Sequence, residues 1–124
     1  MATRDASAFS LPANADLTGK DAHFGKLTGG KVAVCSVLGE RADFVIGSEP
    51  SAAGQATDVY PRDGRIVEIK VGAVAVAAND ELTPDANGLA ITAVATNIVT
   101  AKALEPGNAG AVIRALWVAA YAKP

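Results

Sequence analysis

Catalysis in this chain would have to come from a short list of side chains: one histidine (His23), one cysteine (Cys35) and the carboxylates Asp80, Glu81 and Asp85 around a single turn. A Ser-His-Asp triad would have to be assembled on His23, and no Gly-x-Ser-x-Gly stretch exists to present the serine. His23 therefore reads as a solvent-facing or surface-contact residue. Cys35 lies inside the apolar run Val32–Leu38, with no basic or helix-terminal neighbour to lower its pKa, and reads as a small buried strand residue. Being alone, it makes no intramolecular disulfide. Asp80, Glu81 and Asp85 could in principle gather a hard cation or act as paired carboxylates, but their spacing is not that of an EF-hand loop. Beside Pro84 and Gly88 they read as turn formers. Gly72-Ala-Val-Ala-Val lacks the Gly-Lys-Ser/Thr ending of a phosphate-binding loop. The expectation is a protein that is not an enzyme and uses no cofactor or metal ion.

Composition narrows the class further. At 124 residues the chain suits a single domain. Half of the residues are apolar but only 5% are aromatic, and alanine supplies much of the rest. An Ala/Val core buries less area per residue than a Leu/Ile/Phe core, so its margin over chain entropy is thin and subunit association would add to it. The net charge is −2, with both signs interspersed, which gives no footprint for nucleic acid. No apolar run reaches membrane-spanning length, and the first ten residues lack the apolar centre of a signal peptide. Synthesis and retention in the cytoplasm follow as an expectation.

The elements that would position these residues are strands. Residues 1–30 carry isolated apolar anchors (Phe9, Leu11, Leu17, Phe24, Leu27) without a sustained period and read as an extended N-terminal arm, either mobile or laid across a neighbouring surface. Residues 31–124 read as a β-rich domain. Its strands are expected at Lys31–Leu38, Asp43–Ile46, Arg65–Val71, Ala73–Ala77, Glu81–Thr83, Leu89–Ala93, Ile98–Leu104 and Ala111–Tyr121. Pro61-Arg-Asp-Gly64, Pro84-Asp-Ala-Asn-Gly88 and Pro106-Gly-Asn-Ala-Gly110 are turns, the second with the Asn-Gly pair typical of hairpins. In the last strand Ile113, Leu116, Trp117 and Ala120 also fit a helical period, but the turn before it and its Val, Ile, Trp and Tyr content favour a strand. Pro50–Thr57 reads as a long loop. The fold class is all-β: a small β-barrel or a two-layer β-sandwich with an extended arm.

The order of motifs over residues 58–118 resembles the capsid cement, or head decoration, proteins of tailed bacteriophages. A strand of small apolar residues (Ala73–Ala77) leads through an Asp/Asn-rich hairpin to a short strand at Leu89–Ala93. The chain then closes with Ala101-Lys-Ala-Leu-Glu105, a Gly/Ala turn and a last apolar strand. The resemblance implies a protein that binds the outer surface of an expanded head, commonly as a homotrimer, and braces neighbouring major capsid protein subunits. It implies residence on the virion. On that footing Phe9, Leu11 and Phe24 are expected to contact the capsid, and Val74, Val76, Trp117 and Tyr121 to form the oligomer interface. The alternative is a small β-barrel module binding a carbohydrate or other ligand, although one Trp, two Tyr and three Phe leave few aromatics for a sugar face. A biotinyl- or lipoyl-type carrier would need a lysine at the hairpin tip, where this chain has Pro84–Gly88.

Overall fold

Apolar and polar side chains alternate from Arg65 to Val71, and this stretch forms a single-faced strand. In the computed structural model, which describes residues 9–47, 52–61 and 65–124, Val67 and Ile69 are buried while Ile66 and Glu68 are exposed. Ten strands make up the described chain: β1 (Phe9–Pro12), β2 (Phe24–Thr28), β3 (Lys31–Val34), β4 (Phe44–Ile46), β5 (Ala56–Pro61), β6 (Ile66–Lys70), β7 (Glu81–Pro84), β8 (Ala90–Thr92), β9 (Ile98–Ala103) and β10 (Val112–Ala122). No helix occurs among the described residues. The strands form two antiparallel five-stranded sheets, ordered β1-β5-β4-β2-β3 and β6-β10-β9-β7-β8. Each sheet curls until its edges touch through one isolated bridge, Ala13 to Val32 in the first and Val71 to Ala90 in the second. Neither closes into a barrel, so the sandwich fits. Backbone bonds join the sheets: Phe24 N–H to Gly88 O (2.7 Å), Lys70 N–H to Ala22 O (2.8 Å) and Gly39 N–H to Pro84 O (2.9 Å).

The two sheets are built to the same plan. Replacing each strand of the first by the one five places later gives the order of the second, and the registers agree residue for residue. Gly25 faces Phe44 as Leu82 faces Ala101, and Ile46 faces Val59 as Ala103 faces Ala115. The connecting hydrogen bonds repeat as well. Asn14 N–H to Val32 O (2.7 Å) corresponds to Gly72 N–H to Ala90 O (2.8 Å), and Ala22 N–H to Ile46 O (2.9 Å) to Asn79 N–H to Ala103 O (2.8 Å). Ala22 and Asn79 even share a positive φ, 60° and 72°. The chain is a tandem pair of one five-stranded unit.

The units fill their interiors differently. The first uses Phe44, Ile46, Val59 and Val32 where the second uses Ala101, Ala103, Ala115 and Ala90, all buried. The second compensates with Leu82 and Trp117 where the first has Gly25 and Pro61. Phe24 and Val45 of the first unit insert among Leu82, Ile113 and Trp117 of the second in one continuous core, and Phe24 packs tilted on Trp117 at 6.0 Å between ring centroids.

Several sequence expectations change. The arm and its boundary at residue 30 do not survive over the described residues: β1 is an edge strand paired to β5, β2 lies inside the first sheet, and Leu17 and Phe24 are buried. The anchors looked isolated because β1 and β2 are short and their partners lie far along the chain. Ala73–Ala77 is not a strand. Val76 is held in an isolated bridge to Gly107 and Ala77 N–H by Asp80, while Val74 projects into solvent. The expected long loop at Pro50–Thr57 ends two residues inside β5; Pro50 and Ser51 lie outside the described residues, as do Arg62, Asp63 and Gly64 of the expected turn after Pro61. The last segment is a strand of eleven residues with a register irregularity between Trp117 and Tyr121.

Candidate interaction surfaces

The reactive side chains are occupied with structure. Cys35 is fully buried, and burial together with the nearby Glu40 carboxylate pushes its thiol pKa up to about 12. His23 is 6% exposed; its Nδ1 lies 2.9 Å from Asp21 O, and burial lowers its pKa. Asp85 Oδ1 accepts the N–H groups of Asn87 (2.8 Å) and Leu89 (2.9 Å), which folds the Asn-Gly turn. Asp80 Oδ2 accepts from Ala77 N–H (2.8 Å) and Thr92 Oγ1 (2.9 Å). Among the described residues no three His, Cys, Asp or Glu side chains converge as metal ligands.

Clefts open on the surface of the described residues, two of them beside charged side chains. One of about 380 Å³ lies where the sheets meet, between Asp21, Val45, Tyr60, Arg65 and Arg114. The other, about 460 Å³, is polar and is lined by Asp80, Glu81, Lys102, Tyr121 and Lys123. In it the Glu81 carboxylate accepts from both Tyr121 Oη and Lys123 Nζ, fastening the end of β10 to β7.

The expected contact residues scatter. Phe24 (0% exposed), Trp117 (1%) and Val76 (5%) are interior and offer no surface to a partner, because the core between the units claims them. Leu11 is half-buried against the first unit's interior, and Phe9 lies in the edge strand β1. Val74 (71%) and Tyr121 (40%) remain on the surface, on different parts of the second unit.

The residues that sequence reasoning passed over are Val37, Leu38 and Val94, each more than half exposed. They sit on loops equivalent in the two units. Glu40 Oε2 accepts Ser36 N–H (2.7 Å) and Val37 N–H (3.0 Å), and Asn97 Oδ1 accepts Val94 N–H (2.9 Å). The residue before each acceptor has positive φ, 81° at Gly39 and 74° at Thr96. Burial would raise the Glu40 pKa, but the Val37 and Ser36 amides and Lys26 outweigh it and lower it. Lys26 Nζ is 3.3 Å from the carboxylate. The legible signal was Gly39-Glu40 just after an apolar run, a turn that stops the strand before Val37.

No protein-family model matches the chain and no curated protein matches it in sequence. Its fold is similar to that in "The crystal structure of head fiber gp8.5 N base in bacteriophage phi29", with a TM-score of 0.73 over 90% of this chain and 92% of that one. At 15% identity, what the two share is the all-β architecture.

Proposed function

We propose that this protein is a structural component of a tailed-phage virion, a decoration module that binds the outer face of the expanded head and stabilises contacts between major capsid protein subunits. The observation that carries the reading is the fold likeness to a phage head fiber base along nearly the whole of both chains. The parts of the motif order over residues 58–118 that keep their form, the Pro84–Gly88 hairpin between β7 and β8 and the closing apolar strand β10, support the cement role in particular. So does the use of carboxylates, thiol and imidazole as turn caps and core, leaving shape and adhesion as the means of action. A protein that binds only the expanded shell lowers that state's free energy by mass action. Assembly as a homotrimer on a symmetric lattice would make the second and third contacts intramolecular and raise avidity. The protein acts here without catalysis. Pelleting purified protein with expanded and with unexpanded heads tests the reading: saturable binding to the expanded form supports it, and absence of binding to either form defeats it.

A further inference from the structure

Of the five asparagines in the chain, Asn87 alone is followed by glycine. That pairing is chemically labile, because no Cβ on the next residue hinders the approach of its backbone nitrogen to the side-chain amide. The reaction is a ring closure. Gly88 N, having given its proton to hydroxide, bonds to Asn87 Cγ, and the side-chain nitrogen takes a proton from water and leaves as ammonia. The succinimide so formed adds one water. Opening at the side-chain carbonyl gives an aspartyl residue; opening at the main-chain carbonyl gives an isoaspartyl residue, in which the backbone runs through the former side chain and is one carbon longer. Nothing is oxidised or reduced.

The fold holds this reaction back. The Asn87 side chain is exposed, but Gly88 is buried. Gly88 N–H donates to Asp85 O (3.1 Å), so the nitrogen that must attack is already engaged as a donor. Asp85 Oδ1 accepts from Asn87 N–H (2.8 Å) and Leu89 N–H (2.9 Å), which fixes the backbone on both sides of Gly88. Attack builds negative charge on the nitrogen and then on the amide oxygen, close to the Asp85 carboxylate, and that charge opposes it. A near-attack arrangement also requires the Asn87–Gly88 backbone to turn. Gly88 has little room to do so: an atom added to its Cα would meet the Phe24 carbonyl at 3.0 Å, the Val34 side chain at 3.1 Å and the Cys35 carbonyl at 3.4 Å. Its own carbonyl accepts Phe24 N–H at 2.7 Å. Freeing Gly88 therefore means lifting the hairpin tip off the first unit.

We propose that Asn87 is a site of spontaneous deamidation gated by the joint between the two units: it reacts when the hairpin tip lifts from Phe24, and the isoaspartyl product does not close that joint again. The rate is then that of the open chain multiplied by the fraction of time the tip spends open. The lengthened backbone carries Gly88 O out of register with Phe24 N–H, so a transient separation of the units becomes a permanent one.

The test keeps the full chain in mildly alkaline buffer, with and without urea, and follows each asparagine by peptide mass spectrometry. Asn79 and Asn108, both exposed and followed by residues with a Cβ, are the internal references. Asn87 is expected to convert first in urea, and about tenfold or more slowly in the native chain. Phe24→Leu, which loosens the joint, is expected to raise the native rate at Asn87 and leave Asn108 unchanged. Isoaspartyl chains returned to native buffer should melt below the parent, whereas Asn87→Asp, which adds the charge at the normal backbone length, should melt close to it. Equal rates at Asn87 with and without urea overturn the gate, as does an unchanged native rate in a Phe24→Leu chain that folds with a lowered melting temperature. Should Phe24→Leu not fold, the comparison of native chain with urea decides. Conversion in urea no faster than at Asn108 overturns the site, and isoaspartyl chains that melt as the parent does overturn the effect on the joint.

Discussion

Gly88 carries two demands at once. Its φ of 78° is one that residues with a Cβ rarely adopt, and a Cβ there would sit 3.0 Å from the Phe24 carbonyl, on a neighbour that is backbone and cannot swing aside. The same glycine's carbonyl accepts from Phe24 N–H, so the hairpin tip is a rivet between the two units. Gly88→Ala is expected to cost about 2 kcal/mol in urea unfolding, with an unchanged midpoint as the contrary result. His23 makes stability depend on pH. Burial lowers its pKa below the ordinary 6.5, so the unfolded chain binds the proton more readily. Its contribution is fully present above 6.5 and is lost as pH falls through the folded value. The unfolding midpoint should therefore fall as pH drops below 6.5, and less so in His23→Gln. Cys35, with its thiol pushed up to about 12 and no exposed surface, should resist iodoacetamide at pH 8 in the folded protein and react promptly in urea. Rapid labelling of the native state would contradict the buried placement.

At the scale of elements, β2 and β10 hold the molecule together. Phe24 opens β2 and Trp117 is the centre of β10, and their rings meet in the shared core. Trp117→Ala should cost about 3–5 kcal/mol, and deleting residues 2–24 should abolish cooperative melting instead of producing a trimmed but folded domain. A sharp transition in the deletion variant would restore the separate-arm reading. The contrast shows which signals were legible. Where alternation is sustained, as at Arg65–Val71, or where a Pro/Asn/Gly turn precedes an apolar run, as before β10, pattern and structure agree. Phe9–Pro12 and Phe24–Thr28 are too short to show a period, and Gly25 and Lys26 interrupt the apolar signal of β2. Ala73–Ala77 misled in the opposite direction. Small apolar residues fit a strand, yet Gly72 takes the chain out of β6 to bond with Ala90, and among the described residues no partner strand runs beside the next five residues. Three of the expected contact residues, Phe24, Val76 and Trp117, are interior for a related reason: large apolar residues mark a core more often than a surface, while the exposed Val37, Leu38 and Val94 look ordinary in sequence.

At the scale of the whole molecule, the tandem arrangement explains both the alanine content and why the repeat escaped notice. Equivalent positions share a register but not a residue type. Phe44 answers to Ala101 and Gly25 to Leu82, so side-chain volume is traded between units while the backbone plan is kept. The equivalents of Phe24 and Val45, which dock the first unit on the second, are Glu81 and Lys102, whose charges face the polar cleft. What such a body offers a partner is its outline, and the function we propose is that this outline reinforces a phage head. The most direct measurement is the temperature at which expanded heads lose their shell, followed by light scattering with and without a saturating amount of the protein. A clear upward shift that saturates with added protein is expected, with a stabilisation of about RT ln(1 + [L]/Kd) per site; an unchanged disruption temperature at full occupancy would rule the proposed role out.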